Sequence, residues 1–122
     1  IVAGDGGTVA WPLAIGPLLA KRYLLTGDPI DAQTAARIGL VTEAVPDGGL
    51  RDRARAFAKR LAAGAPLAIR GTKQAVNAQV KAALQQSFDV ATALEIATFQ
   101  SEDHAEALAA FRDKRPPQFR GR

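Results

Sequence analysis

Apolar positions recur at helical spacing along most of this chain. Between Gly49 and Ala63, Leu50, Ala54, Phe57, Ala58 and Leu61 form one stripe. Arg51, Arg53, Arg55, Lys59 and Arg60 fall mostly outside it. The pattern predicts an amphipathic helix opened by Asp47 and stopped by Gly64. Pro66 starts another helix, with Ile69, Thr72, Val76, Val80 and Ala83 on one face and Lys73, Asn77 and Lys81 among its polar positions. Helical periodicity resumes or continues from Leu84 to Phe99. There Phe88, Val90, Ala91, Leu94, Ile96, Ala97 and Phe99 cover most of the circumference, which predicts a buried helix of the kind found between subunits. Ser101 is the expected cap of the last helix. Glu102 and Asp103 suit its positive end, and Pro116-Pro117 terminates it.

The first part of the chain is more broken. Gly4 to Thr8 reads as a loop running into a short helix, with Asp5 and Thr8 as candidate caps and Pro12 in an early turn. Gly16-Pro17 interrupts the pattern, and a helix follows from Pro17 to Leu25, closed by Gly27. Asp31 is the expected cap of a short helix from Ala32 to Ile38, ended by Gly39. Leu40-Val41-Thr42-Glu43-Ala44-Val45 alternates and is β-branched, which predicts a short strand stopped by Pro46. One strand makes no sheet. It must pair outside this stretch or lie as an isolated extended segment. The expected fold class is mostly α, with that one strand and a surplus of apolar helix surface.

Composition narrows the chemistry. At 122 residues the chain suits one small domain with a modest core, and its many alanines suit closely packed helices. Without cysteine there is no disulfide, thiolate or Cys-zinc chemistry, and one histidine excludes a multi-His metal site within the chain. No metal is expected. No apolar run is long enough to span a bilayer and none reads as a signal peptide, so a cytoplasmic protein with no membrane partner is expected. The net charge of +4 resides in the last eleven residues, where Arg112, Lys114, Arg115, Arg120 and Arg122 oppose only Asp113. Nucleic acid is not the expected partner, because the tail lacks interleaved aromatics and any reader fold.

Several segments carry a resemblance when taken in order. They are Gly4-Asp5-Gly6-Gly7-Thr8; Leu24-Leu25-Thr26-Gly27-Asp28-Pro29-Ile30-Asp31-Ala32 through Ala35 to Gly39-Leu40-Val41; Val45-Pro46; Leu61-Ala62 through Pro66-Leu67-Ala68 with Thr72-Lys73; and Ser101-Glu102-Asp103 through Ala110-Phe111 to Lys114-Arg115-Pro116, Phe119 and Gly121-Arg122. The set resembles the C-terminal half of the enoyl-CoA hydratase/isomerase (crotonase) family. The resemblance implies an α/β parent fold, with a spiral of ββα units that binds acyl-CoA and a helical region that builds trimers, often paired into hexamers. Residues 1–46 would then be the end of the crotonase-like core, and residues 47–122 a helical oligomerisation region with a basic tail. The opening glycine cluster, with no strand before it, reads as a start inside a functional site.

The resemblance also assigns roles. The family holds a thioester enolate on two backbone N–H groups and, in hydratases, adds water with two glutamates. All of these lie upstream of Gly4 in the family pattern, so the isolated chain is expected to be inactive. The Gly4 N–H matches the donor that helps hold the reacting water or hydroxyl, and glycine permits that close approach. Phe111 and Lys114 match positions near the adenine and phosphates of CoA, with Arg115 beside them. Trp11, where many relatives continue Gln-Arg-Leu, either fills core or lines the acyl pocket. Asp5 is more simply a cap than an acid, His104 a surface residue, and Glu95 a partner for an arginine across an interface. Coenzyme A enters as part of the substrate, and no separate cofactor is expected. The alternatives are a catalytically inactive helical assembly module and another reaction of the family, such as enoyl-CoA isomerisation.

Overall fold

The computed structural model describes all 122 residues and contains five helices and no strand. They are α1 (Gly7–Thr26), α2 (Ala32–Arg37), α3 (Leu50–Ala62), α4 (Pro66–Phe99) and α5 (Glu102–Arg112). α1 is two helical pieces joined at Gly16, where φ is 77° and ψ 157°. Only glycine takes that conformation cheaply, and Pro17 then opens the second piece without forfeiting an N–H bond. The expected break is therefore a sharp kink. Gly27, left-handed at φ 69°, closes α1 by donating its N–H to the Tyr23 carbonyl at 2.8 Å.

Two caps form where the sequence puts them. Asp31 accepts the Thr34 N–H at 2.7 Å and the Thr34 hydroxyl at 2.9 Å. Those two bonds, the N–H first, hold the Asp31 carboxyl below its ordinary range. Ser101 accepts the His104 N–H at 3.1 Å and starts α5. The start of α1 differs from expectation. Gly6, at φ 129°, is the cap residue and has no side chain to contribute. Asp5 is exposed and caps nothing, while Thr8 lies inside the helix with its hydroxyl buried and unpartnered.

The predicted strand over Leu40–Val45 does not form. The Leu40 and Val41 N–H groups both turn back to the Ala35 carbonyl, at 2.9 and 3.3 Å, and the segment then runs on irregularly to Pro46. A strand requires a neighbouring edge, and this chain offers only helices. The segment leans on α3 instead, through an exposed Arg53–Glu43 ion pair at 2.8 Å.

α4 is one continuous helix of 34 residues, about 50 Å long. α1 and α5 pack against it. Residues 66–82 are exposed except for half-buried Ile69. Only Gly4, Val9, Ala20, Ala35, Ala91 and Ala110 are buried in the whole chain. The buried helix expected over Leu84–Phe99 is therefore not buried here: Phe88, Val90, Leu94, Ile96 and Phe99 are each at least 42% exposed. The stripe of α3 is largely open as well: only the segment around Val45 lies beside it, and Leu50, Phe57 and Leu61 stay exposed.

α5 ends at Arg112, ahead of Pro116-Pro117. The reversal occurs at Lys114, the one non-glycine residue with positive φ, at 53°. The Asp113 N–H returns to the Ala109 carbonyl at 2.9 Å and the Arg115 N–H to that of Ala110 at 3.0 Å. The helix is thus closed by a left-handed turn, which satisfies its last carbonyls before the prolines are reached.

Candidate functional site

Gly4 lies buried against one turn of α4. A methyl group there would overlap the Ala91 carbonyl oxygen and sit 2.7 Å from the Glu95 Cβ. Close approach of two backbones thus requires glycine at this position. The N–H groups of Gly4, Asp5, Gly6 and Gly7 make no hydrogen bond within the chain. They stand at the positive end of α1, an arrangement that favours an oxygen carrying negative charge. Two residues earlier, the Val2 N–H donates to the Thr98 Oγ1 at 3.2 Å, and the Thr98 hydroxyl donates to the Glu95 carbonyl at 2.8 Å.

The second group of candidates occupies the far end of α5. Phe111 is 86% exposed, and Lys114, at the apex of the left-handed turn, makes no ion pair. Arg115 is engaged within the chain. Its guanidinium forks onto Glu106 at 2.6 and 2.9 Å. That fork and the Gln118 N–H hold the Glu106 carboxyl down at about 2, and the same fork raises Arg115 above its ordinary value.

The basic tail is equally engaged. It runs back along α5, where Asp103 accepts the Arg120 and Gly121 N–H groups at 2.6 and 2.8 Å and Glu102 pairs with Arg122 at 3.0 Å. The sequence places the net charge in the tail without showing what the tail touches. The acids that hold it were visible at the start of α5, but the reversal that brings them together depends on a lysine, not a glycine, in a left-handed turn. The cleft under the tail, about 610 Å³, is lined by Glu102, Asp103, Glu106, Arg115 and Arg120, of which the Arg120 guanidinium makes no ion pair.

The chain does not bring its candidates into one cluster. Phe111 is separated from Ser101, at the Thr98 end of α4, by about 15 Å of helix. Trp11 is half-buried one turn into α1, with its ring edge-on to Tyr23, centroids 6.5 Å apart. His104, expected at the surface, is half-buried with its ring edge-on to Phe99 at 5.1 Å. Glu95 is half-buried and has no ion-pair partner in the chain. No three histidine or carboxylate side chains converge as a metal site would require.

Comparison with known proteins gives this geometry a context. The family model described as enoyl-CoA hydratase/isomerase matches residues 1–122. The chain is 38% identical to (E)-benzylidenesuccinyl-CoA hydratase of Thauera aromatica, over 98% of this chain and 47% of that protein. It is 34% identical to 2,3-dehydroadipyl-CoA hydratase of Escherichia coli K12, over 100% of this chain and 48% of the relative. A carnitinyl-CoA dehydratase from Mycobacterium avium 104 superposes with a TM-score of 0.92 at 30% identity, over all of this chain and 49% of the other. The chain spans about half the length of the relatives it matches.

Proposed function

Because this chain belongs to the enoyl-CoA hydratase/isomerase family, we propose that the protein carrying it adds water to a 2-enoyl-CoA thioester. The reaction passes through an enolate on the thioester oxygen, stabilised by backbone N–H donors aimed at the developing charge. Those donors, and the two glutamates that move protons, correspond to positions upstream of Gly4 in the family pattern. The contribution of this chain is the Gly4 N–H, which holds the oxygen of the reacting water or product hydroxyl.

One observation carries this role. Gly4 is buried on α4, where no side chain fits, yet its N–H has no partner within the chain. A donor in that position is costly to leave unpaired, and a ligand oxygen would satisfy it.

The other end of the substrate has candidates too. The exposed Phe111 ring offers a stacking face for adenine, and the Lys114 ammonium a charge for phosphate. Coenzyme A is long, so the separation between Gly4 and this end of α5 suits a ligand that spans it. Arg115 serves there by fixing the turn that carries Lys114. Trp11 is the remaining candidate for the acyl side. The open apolar surface of α4 supports assembly into trimers or hexamers. No helix is long and apolar enough to cross a membrane. A cytoplasmic setting belongs to the same proposal.

The test is to mix the full-length protein with 2-enoyl-CoA thioesters of short and long chain and follow loss of the conjugated thioester absorbance. Turnover with formation of the 3-hydroxyacyl product supports the proposal. Conversion of a 3-enoyl-CoA with no hydration would favour isomerisation. No reaction with either, from a well-folded oligomer, would favour an assembly role.

A further inference from the structure

We propose that Thr98 is a positioning residue for the Gly4 N–H, an inference that rests on the hydratase role given above. Ala91, Glu95 and Thr98 lie at spacings of four and three residues and so share one stripe of α4. The segment from Val2 to Gly4 runs along that stripe. At one end Gly4 abuts the Ala91 carbonyl and Glu95, and at the other the Val2 N–H is bonded to Thr98. This bond is the only one joining the segment to α4.

The threonine is well suited to the task. Its proton is committed to the Glu95 carbonyl at 2.8 Å, so a lone pair is left for the Val2 N–H. A β-branched side chain in a helix has few χ1 choices, so the acceptor stays in place. Contact with Ala91 sets how close Gly4 comes to α4, whereas the Thr98 bond sets where the segment stops along it. Without that bond the Val2 end of the segment is free to lift from α4 and pivot about Gly4. Its N–H donors then move relative to the oxygen they must meet, and catalysis is sensitive to misplacements of about 1 Å.

Hydration by the full-length protein would be compared for wild type, Thr98→Val and Thr98→Ser. Valine keeps the shape and removes the acceptor, while serine keeps the hydroxyl. The expected result is a roughly tenfold lower kcat with little change in KM for Thr98→Val, and recovery to within about twofold for Thr98→Ser. Amide exchange at Val2 should quicken in the valine variant alone. Equal kcat in Thr98→Val and wild type would overturn the inference, as would a loss confined to KM or one that serine fails to recover. A loss of kcat that merely follows a lowered thermal midpoint in both variants would also overturn it. If wild type itself hydrates no 2-enoyl-CoA, the hydratase proposal fails first, and that outcome is distinct from an active wild type indifferent to residue 98.

Discussion

Gly4 is constrained by its neighbours and not by its own dihedral angles. The glycines with positive φ, such as Gly6 and Gly16, have open space around them, whereas Gly4 is pressed against Ala91 and Glu95 of α4. The obstacle is helix backbone, which cannot step aside as a flexible side chain would. Gly4→Ala is therefore expected to destabilise the full-length protein by about 1–3 kcal/mol, the usual range for overpacking. It should also lower hydratase kcat, because the N–H moves with the displaced segment. Urea denaturation measures the first effect and steady-state kinetics the second. Unchanged stability would mean that the Val2–Gly4 segment does not sit on α4 as described.

The tail and α5 act together at the scale of elements. Glu106 binds the Arg115 fork and the Gln118 N–H, and Asp103 binds two main-chain N–H groups of the tail. The Glu106 carboxyl, ordinarily near 4.5, is held down at about 2. Its contribution is complete above about 4.5 and is lost as pH falls towards about 2. The Gln118 amide resonance should therefore move with a midpoint at about 2 in the wild-type protein. Glu106→Gln should abolish the movement and leave the tail loosened at neutral pH. Because the groups face solvent, salt should weaken the effect. An amide shift centred near the ordinary carboxylate value would show that the fork does not persist in solution.

For the whole molecule, the accessible surface is 9698 Å². A folded monomer of this mass exposes about 6,300 Å². The chain therefore exposes roughly half as much surface again as a self-sufficient domain. Much of the excess is apolar and lies along α3 and α4, including Phe57, Leu61, Val76, Phe88 and Ile96. The isolated 122-residue chain is expected to bind an apolar fluorescent dye strongly and to sediment as a self-associated species. A longer protein in which these faces are covered should do neither. A monodisperse monomer with no dye binding would show that these faces need no cover.

Much of the chain's local structure depends on a few adjacent residues. The caps at Asp31 and Ser101, the break at Gly16-Pro17, the close at Gly27 and the helical nature of most of the chain follow from local hydrogen bonds and dihedral preferences. The order of short segments was also enough to point to the family. Contacts between distant residues decided the rest. Leu40–Val45 has strand composition but no edge to pair with, so alternation could not make it a strand. Periodicity marks an apolar face on α4 without supplying anything to cover it. That Gly4 must be glycine depends on a helix almost ninety residues away. Arg115 and Arg122 meet Glu106 and Glu102 only because Lys114 turns the tail back along α5. Local preferences choose each element, but only packing and long-range hydrogen bonds decide which surfaces meet.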